Sequence, residues 1–272
     1  MIKRIVKYLK EPDRLFERLS IFIKMQFRFK KKNEEYWNSL KDKYKGKRGF
    51  VIGNGPSLKM SDLDQLKGEV TIASNKIYLS FQKTDWRPSF VTVADPLVWK
   101  KIKNIIGDYI PIVHISNYLN SSESNANTIY WKARFRKNAK GFTFSDDMGY
   151  GAYSGSTVTY ENIQFAVHLG LNPIYLIGCD HNYPGENNVK PGVAILQSEE
   201  KTHFIDGYRS PGEAVLPAPI QLMEAADCEA RAYADSMGTE VYNATRGGKL
   251  EIFERADIGE IFLNNLQSKD TT

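Results

Sequence analysis

Short apolar runs alternate with helix-like segments along the chain from Gly49 to its end. The apolar runs are rich in β-branched and aromatic residues, whereas the segments between them carry apolar residues at helical spacing. This alternation is typical of a parallel sheet covered by helices on both faces. It predicts an α/β fold, a single Rossmann-like domain over residues 48–272 with a mainly parallel sheet. The candidate strands are Phe50–Ile52, Val70–Ala73, Phe90–Ala94, Ile110–Ile115, Ile174–Ile177 and Glu240–Tyr242.

The first predicted strand ends at a glycine-rich turn, Gly53-Asn54-Gly55-Pro56-Ser57, which is followed by Leu58. Two glycines let the backbone turn sharply and leave its N–H groups accessible to an anionic ligand. The turn therefore predicts a phosphate-binding loop, although a plain strand-to-helix turn would have the same composition. The dinucleotide fingerprint requires a third glycine where this chain has a leucine, so a standard dinucleotide site is not predicted.

Several predicted strands run into a polar residue at their carboxyl end. In an open α/β sheet the ligand binds in the crevice outside these ends. Asn and Asp are common turn formers, so one such residue alone would carry little weight. Their recurrence at five strand ends predicts a ligand crevice. The five residues are Asn54, Asn75, Asp95, Asn117 and Asp180, and Asn243 near the end of the last strand is assigned to the same nucleotide-binding set.

Two helices are predicted in the second half of the domain. The first runs from Val158 to Leu169, after a Ser-Gly-Ser-Thr run, and ends at Gly170. Ser156 or Thr157 suits its N-cap and the glycine suits its C-cap. Because N–H groups at a helix start also attract anions, both hydroxyl residues are predicted to line the crevice. The second helix is amphipathic and spans about residues 218–237.

A segment rich in Gly and Pro, without clear periodicity, extends from about residue 184 to 217. A loop of this length in a compact domain is usually a lid or a binding loop. It contains His203, and an imidazole can take a proton from a hydroxyl nucleophile because it titrates near neutral pH. His203 is therefore the candidate general base, and a solvated surface histidine is the alternative.

The other three histidines suit that role less well. His114 lies within a predicted strand and His168 within a predicted helix, which indicates structural positions. His181 directly follows Asp180, and an adjacent carboxylate would hold the imidazole protonated and unable to accept a proton.

Composition and the absence of certain motifs exclude several classes of protein. The 272 residues, 42% of them hydrophobic, are enough for one sizeable core. No apolar run reaches the ~20 residues that span a bilayer, and the N-terminus has no hydrophobic signal core, so a cytoplasmic protein is predicted. Two cysteines, Cys179 and Cys228, are too few for a disulfide framework or a thiolate zinc site, and both are predicted to be buried. The absence of a Gly-x-Ser-x-Gly elbow and a Walker lysine argues against hydrolase and P-loop classes.

The formal net charge of +5 is unevenly distributed. Residues 1–47 contain 15 Lys or Arg and 6 Asp or Glu, whereas the remainder contains 22 and 26. Because the basic excess is confined to this segment, a nucleic-acid groove is not predicted. Apolar residues at helical spacing within it predict a basic amphipathic helical arm. The arm would bind an anionic membrane surface, or it would pack on the domain or on a second subunit in a homo-oligomer.

The order of several motifs between about residues 49 and 245 resembles that of the bacterial sialyltransferases of glycosyltransferase family 42. The chain is also similar, and more closely, to the MptE-like domain that is shared by flagellin nonulosonate transferases and archaeal 6-hydroxymethylpterin diphosphokinases. This second likeness is strongest over residues 155–183 and 242–250. The motifs are Gly53-Asn54-Gly55-Pro56-Ser57-Leu58, Asn75, Asp95-Pro96, Gly178-Cys179-Asp180 and His203-Phe204-Ile205.

The sialyltransferases bind a CMP-activated sialic acid beneath a lid, and a lid histidine deprotonates the acceptor hydroxyl without a metal. By resemblance, the glycine-rich turn with Asn54, Gly55 and Ser57 would hold the nucleotide and its phosphate, and Asn75 would contact the nucleotide sugar.

The resemblance also implies roles in the chemical step. His203 would be the general base, and Tyr183 would assist the departing phosphate, although it lies one residue later than the family's tyrosine. Asp95 replaces an amide of the sialyltransferases, and the arginine that they place before the crevice helix has no obvious counterpart here.

The predicted function is a glycosyltransferase that transfers a nonulosonate such as sialic acid from a CMP-linked donor to a cell-surface glycan or a lipid-linked acceptor. It would act in lipopolysaccharide or related polysaccharide synthesis without a cofactor, at the inner face of the cytoplasmic membrane. The alternative is a diphosphokinase that acts on a pterin-like alcohol with ATP, in which Asp95 and Asp180 would bind Mg²⁺. A third class is a nucleotide-binding scaffold without activity.

Overall fold

The computed structural model describes residue 20 and residues 31–117, 125–135, 143–183, 193–195 and 202–269. Twelve strands occur within these ranges, and eight of them form one sheet. The strands are β1 (Gly49–Ile52), β2 (Val70–Ser74), β3 (Phe90–Val93), β4 (Ile112–Ser116), β5 (Asn127–Trp131), β6 (Ala133–Arg134), β7 (Ala152–Tyr153), β8 (Ile174–Ile177), β9 (Ala194–Ile195), β10 (Ala214–Val215), β11 (Val241–Asn243) and β12 (Glu254–Arg255).

Helices cover the sheet and supply the connections between its strands. Two 3₁₀ helices, Ile77–Gln82 and Ile106–Asp108, follow β2 and α3 respectively. Within the described ranges, no helix is long and apolar enough to cross a membrane. The α-helices are α1 (Lys31–Leu40), α2 (Met60–Gln65), α3 (Pro96–Ile102), α4 (Val158–His168), α5 (Ile220–Ser236) and α6 (Ile258–Lys269).

The main sheet has the order β12-β11-β8-β1-β2-β3-β4-β5, and all neighbouring strands in it are parallel. The chain builds outward from β1 to β5 and then returns to place β8 on the other side of β1, with Gly49 beside Ile174. This reversal is a topological switch point, and a crevice opens there at the carboxyl ends of the strands. The predicted Rossmann-like α/β fold with a mainly parallel sheet is confirmed.

The central strand β1 is buried along its whole length, which explains its unbroken apolar sequence. Val51 belongs to the core on one face of the sheet, where α1 and α4 pack. Phe50 and Ile52 belong to the core on the other face, together with Trp86 and Trp99. Because side chains alternate along a strand, these three residues join two helical layers through one sheet.

Helix α1, which lies within the predicted arm, packs into the core on the sheet face that carries α4. Trp37 is fully buried, and its indole N–H donates to the carbonyl of Tyr130 at 2.7 Å. Its own carbonyl lies 2.8 Å from Nε2 of His168. The hydroxyl of Tyr36 lies 2.7 Å from Nε2 of His114, so both histidines have structural positions, as predicted. Most of the predicted arm falls outside the described residues.

Helix α4 connects the core to the crevice. It contacts β1, β2 and β3 on one side and α5 on another. Thr157 is its N-cap and accepts a hydrogen bond from the N–H of Thr159 at 3.3 Å, as predicted. Since the strands are parallel and α4 runs back toward their amino ends, its first turn lies at the crevice. The side chains of that turn therefore face any ligand bound there.

Candidate functional site

A cavity of about 790 Å³ lies at the carboxyl edge of the sheet, between the loops after β1, β2, β3 and β8 and the starts of α4 and α5. Part of the predicted lid forms another wall, through Thr202, His203, Tyr208, Arg209, Leu216 and Pro217. Most of the predicted site residues meet here. Those that line the cavity are Gly53, Asn54, Gly55, Pro56, Asn75, Asp95, Ser156, Thr157, Asp180, Tyr183 and His203.

The N–H groups of the glycine-rich turn are already bonded within the protein. Gly53 and Gly55 donate to the carbonyls of Ile177 and Gly178, each at 2.8 Å. The Ser57 hydroxyl donates to Oδ2 of Asp180 at 2.7 Å, and its N–H lies 3.2 Å from Oδ1. These three N–H groups and the hydroxyl hold the β1 turn against the β8 turn. The prediction of bare N–H groups for a phosphate does not hold for them, and Ser57 does not line the cavity.

Close approach of the two turns explains why both positions are glycine. A Cβ on Gly53 would overlap the carbonyl of Gly178, and one on Gly55 would overlap the carboxylate of Asp180. A larger residue at Gly55 would therefore separate the turns and disturb the fold. Loss of ligand binding in such a variant would not identify a phosphate loop.

Two asparagine side chains present unpartnered oxygen atoms in the cavity wall. Nδ2 of Asn54 donates to the carbonyl and hydroxyl of Ser74, each at 3.2 Å, which fixes the amide orientation. Oδ1 of Asn54 and Oδ1 of Asn75 are buried and have no hydrogen-bond partner among the described residues. Buried acceptors are normally satisfied, so these two residues are candidates to accept from a ligand.

Backbone strain is concentrated at the same cavity. Four non-glycine residues in the described ranges have positive φ, and three of them line it: Asn75 at 55°, Ser156 at 65° and His181 at 49°. A non-glycine residue in this region is strained, and such strain is typical of ligand-binding sites.

Asp95 and Asp180 both have structural hydrogen bonds. Asp95 is the N-cap of α3, and its Oδ1 accepts from the N–H groups of Leu97 and Val98 at 2.7 and 3.2 Å. The carboxylate of Asp180 accepts from Ser57, while burial raises its pKa. Across the described ranges, no group of three or more His, Cys, Asp or Glu residues is arranged to hold a metal ion.

His203 lies in the lid with one ring nitrogen engaged. Its ring stacks on Tyr208 with centroids 3.9 Å apart, and Nδ1 lies 2.9 Å from Oγ1 of Thr202. The lid is joined to the β1 turn because the N–H of Phe204 donates to the carbonyl of Asn54 at 3.1 Å. Nε2 of His203 has no hydrogen-bond partner in the described part of the chain. This geometry leaves one nitrogen available to a ligand.

The charge state of His203 follows from its surroundings. Burial lowers its pKa to about 3, and the nearby cations Arg209 and Lys76 contribute in the same direction. The imidazole is therefore neutral across the physiological range, but so low a pKa makes it a weak base in the free protein. The predicted role as general base requires a higher pKa in the ligand-bound state.

Two basic residues lie near His203 on the lid side of the cavity. Lys76 is buried, and its ammonium donates to the carbonyl of Tyr208 at 2.5 Å and to Glu213 at 3.2 Å. Arg209 is half-buried and lines the cavity, and it forms no ion pair within the described ranges. Sequence reasoning missed Arg209, although a basic residue six positions after the candidate base was a usable signal.

Two buried carboxyl groups line the cavity from the helices and were also missed. Burial raises the pKa of Glu161, in the first turn of α4, to about 8. Burial, reinforced by the charge of Glu224, raises the pKa of Asp227 on α5 to about 7. Both positions resemble ordinary polar positions of amphipathic helices, so no sequence signal distinguished them from solvent-exposed carboxyl groups.

The reason given for dismissing His181 is wrong. Burial lowers its pKa, so the ring is not held protonated. The carboxylate nearest to its Nε2 is Glu224, 3.6 Å away, which exceeds hydrogen-bond distance; Asp180 is bonded to Ser57 instead. His181 lines the cavity, with its ring packed edge-to-face on Tyr183.

Two further predicted residues, in addition to Ser57, lie outside the cavity. Nδ2 of Asn243 donates to the carbonyl of Leu250 at 2.6 Å and its Oδ1 accepts from Thr245 at 3.0 Å, so it anchors the turn after β11. Oδ1 of Asn117 accepts from the N–H of Ala133 at 3.0 Å and supports the start of β6.

The two cysteines differ in their exposure to solvent. Cys179 lines the cavity, but burial raises the pKa of its thiol to about 12, so it carries no thiolate for nucleophilic attack. Cys228 is exposed, which corrects the prediction that both are buried.

Comparison with known proteins gives one match. The family described as 6-hydroxymethylpterin diphosphokinase MptE-like matches residues 25–186, which include α1, the β1 turn, α4 and the β8 turn. Neither the curated proteins nor the solved structures contain a match to this chain.

Proposed function

The chain belongs to the MptE-like family of transferase-type enzymes, and we propose that it is a glycosyltransferase. In this proposal, it transfers a nonulosonate such as sialic acid from a CMP-linked donor to a hydroxyl of a cell-surface glycan or lipid-linked acceptor. The diphosphokinase activity in the family's description is the competing transferase activity.

The observation that carries the proposal is the neutral His203 in the lid, with Nε2 unpartnered among the described residues. In the proposed step, Nε2 takes the proton of the acceptor hydroxyl as its oxygen attacks the anomeric carbon of the donor. The bond from that carbon to the phosphate oxygen breaks, and CMP leaves with the electron pair. Because the base lies on the lid, it would face an acceptor that binds after the donor.

Arg209 suits an anionic donor, because its side chain lines the cavity. A CMP-linked nonulosonate carries a phosphate and a carboxylate, and a half-buried guanidinium can bind either group with two parallel hydrogen bonds. An anion bound there would offset the positive charges that lower the pKa of His203. Donor binding would thus strengthen the base before the acceptor is deprotonated.

The unpartnered oxygens of Asn54 and Asn75 suit the hydroxyl groups of a ribose or a sugar. Each can accept a hydrogen bond, and Asn54 cannot rotate its amide without losing Ser74. Sugar-rich ligands supply many such donors. These residues would fix the orientation of the donor rather than take part in proton transfer.

The carboxyl groups of the cavity favour the glycosyltransferase over the diphosphokinase. Metal-bound ATP is normally held by ionised carboxylates. Here Asp95 caps a helix and the carboxylate of Asp180 accepts from Ser57. The two carboxylates that the diphosphokinase alternative assigns to Mg²⁺ are thus already engaged within the protein.

The proposal is tested by offering both reactions to the purified full chain. We expect release of CMP from CMP-sialic acid or another CMP-nonulosonate when a glycan acceptor is present, measured by chromatography. We also expect CMP to raise the melting temperature. Formation of AMP from ATP and 6-hydroxymethylpterin, with no release of CMP from any of the nonulosonate donors, would establish the diphosphokinase instead.

We propose further that the N-terminal segment brings the enzyme to the cytoplasmic face of an anionic membrane. Residues 1–30 contain nine Lys or Arg and three Asp or Glu, with apolar residues between them. Segments of this composition bind anionic lipid surfaces through both charge and apolar burial.

Deletion of residues 1–30 is expected to remove binding to anionic vesicles in a flotation assay and to keep activity on a soluble acceptor. This boundary retains α1, whose Trp37 the core requires. A deletion to residue 47 would remove Trp37 and is unsuitable. Equal vesicle binding by both proteins, or a change from oligomer to monomer on deletion, would assign the segment to packing or subunit contact.

A further inference from the structure

Two carboxyl groups in the cavity wall have no role in the proposed proton transfer. Glu161 is 6% exposed and Asp227 is 4% exposed, and they lie on α4 and α5, which pack against each other. Oε2 of Glu161 is buried without a hydrogen-bond partner, and the side chain lines the cavity. The described residues offer no cation or hydrogen-bond donor to either group.

A buried carboxyl group without a partner destabilises a fold, because it gives up its hydration and gains nothing in return. In a closed core this arrangement would be unfavourable in every state. At a cavity wall a ligand can supply the missing partner. The position of Glu161 therefore points to a polar group on the ligand.

The cavity that Glu161 lines also has apolar walls that suit a flat ring. Val158 on α4, Leu222 and Met223 on α5, and Pro219 before α5 line the same cavity. The side chain of Leu222 is 56% exposed, which leaves apolar surface open to a ligand. Apolar walls with polar groups between them are typical of sites that bind an aromatic ring by its faces and recognise it by its edge.

We propose that Glu161 binds the amidine edge of the ligand's base, which is the exocyclic amine together with the adjacent unprotonated ring nitrogen. The carboxyl O–H donates to the ring nitrogen, and the carboxyl C=O accepts from the amine. Cytosine has this edge, so the inference rests on the proposed CMP-linked donor and assigns the residue that reads its base. Adenine carries the same edge.

The protonation of Glu161 fits this pairing. Burial raises its pKa to about 8, so near neutral pH the group has both a donor and an acceptor. An ionised carboxylate would only accept and would repel the ring nitrogen. The other titratable or charged groups that line the cavity are Asp95, Cys179, Asp180, His181, Tyr183, His203, Tyr208, Arg209 and Asp227.

The test compares CMP with ribose 5-phosphate, which lacks the base, by calorimetry between pH 6 and pH 9.5. We expect Glu161→Leu to weaken CMP binding by about 10-fold or more at pH 7 and to leave ribose 5-phosphate unchanged, because only the base loses a partner. The matched control is Glu260→Gln, which changes an exposed carboxyl group on α6.

Glu161→Gln separates recognition from packing. Its amide has a donor and an acceptor at the same positions but does not titrate near neutral pH. The ratio of the CMP and ribose 5-phosphate affinities, which cancels the titration of the phosphate, should fall above about pH 8 in the wild type and stay level in this variant. Glu161→Leu should also raise the melting temperature at pH 9, where the wild type holds a buried unpaired charge.

Unchanged CMP affinity in Glu161→Leu, or an equal loss of ribose 5-phosphate binding, would overturn the inference. The proposed function fails separately if the wild type does not bind CMP. In that event AMP is used in the same comparison: loss of AMP binding in Glu161→Leu supports the assignment of Glu161, and an unchanged affinity, or no binding of either nucleotide to the wild type, overturns it.

Discussion

Replacement of His203 by alanine is expected to lower turnover by about 100-fold or more, while the affinity for CMP changes by about twofold at most. A general base acts on the acceptor hydroxyl in the transition state, so its loss affects kcat rather than donor binding. Steady-state kinetics with a glycan acceptor measures the first quantity, and calorimetry with CMP measures the second.

Tyr208→Phe is the matched control for the lid. It keeps the ring that stacks on His203 and the backbone carbonyl that accepts from Lys76, and it removes only a hydroxyl. Near-normal turnover in His203→Ala, or a loss of activity that follows a loss of CMP binding, would contradict a base at this position. His203 would then be a structural part of the lid.

The pH dependence of the rate provides an independent check on His203. The pKa of His203 is about 3 in the free protein. The acid limb of kcat/KM for the donor, which reports the free enzyme, should therefore lie at a pH far below the ordinary pKa of histidine. This differs from the simplest expectation for a histidine base. Because bound donor offsets Arg209 and Lys76, the acid limb of kcat should lie at a higher pH than that of kcat/KM. Coincident limbs at the ordinary histidine value would contradict the assigned environment.

Replacement of Arg209 by alanine is expected to weaken donor binding by about 30- to 150-fold, since a charge-assisted hydrogen bond contributes about 2–3 kcal/mol. The guanidinium lines the cavity and lacks an ion pair within the described ranges, so its loss leaves the donor anion without a partner. Calorimetry with CMP-sialic acid or CMP measures the change.

Two features make the Arg209 prediction specific. The affinity of the wild type should fall with added salt, and that of Arg209→Ala should fall less steeply, because one charge pair is missing. Arg231→Ala, which removes a mostly exposed arginine from α5, is the matched control and should leave affinity unchanged. An equal effect of both substitutions would indicate a general electrostatic contribution instead of a binding contact.

Raised carboxyl pKa values also predict how the cavity affects stability. The pKa of Glu161 is raised above its unfolded value of 4.5 to about 8, so between these values the folded state binds a proton that the unfolded state has released. The contribution of this group to stability is therefore present below the lower value and is lost as pH rises through the upper one. A ligand that satisfies the carboxyl group would oppose that loss.

The local sequence pattern was sufficient to predict the central strands of the sheet and less informative about its edge strands. Buried central strands such as Ile174–Ile177 have continuous apolar sequences bounded by turn residues, and this strand was predicted to the residue. The edge strand Asn127–Trp131 was missed because it is buried only at alternate positions. The pairing of Ala194–Ile195 with Ala214–Val215 within the lid also had no local signal, because each strand is only two residues long.

The sequence by itself determined the α/β fold, the carboxyl-edge crevice and eleven of the residues that line it, because strand ends and helix caps follow from local patterns of apolar, polar and glycine residues. Only the tertiary structure decided which polar groups have partners. In the folded chain the N–H groups of the glycine turn donate to the β8 turn and to Asp180, whereas Arg209 and Glu161 line the cavity. The physical reason is that the partner and the desolvation of a polar side chain depend on contacts distant in sequence, here between α4, α5, the lid and the sheet.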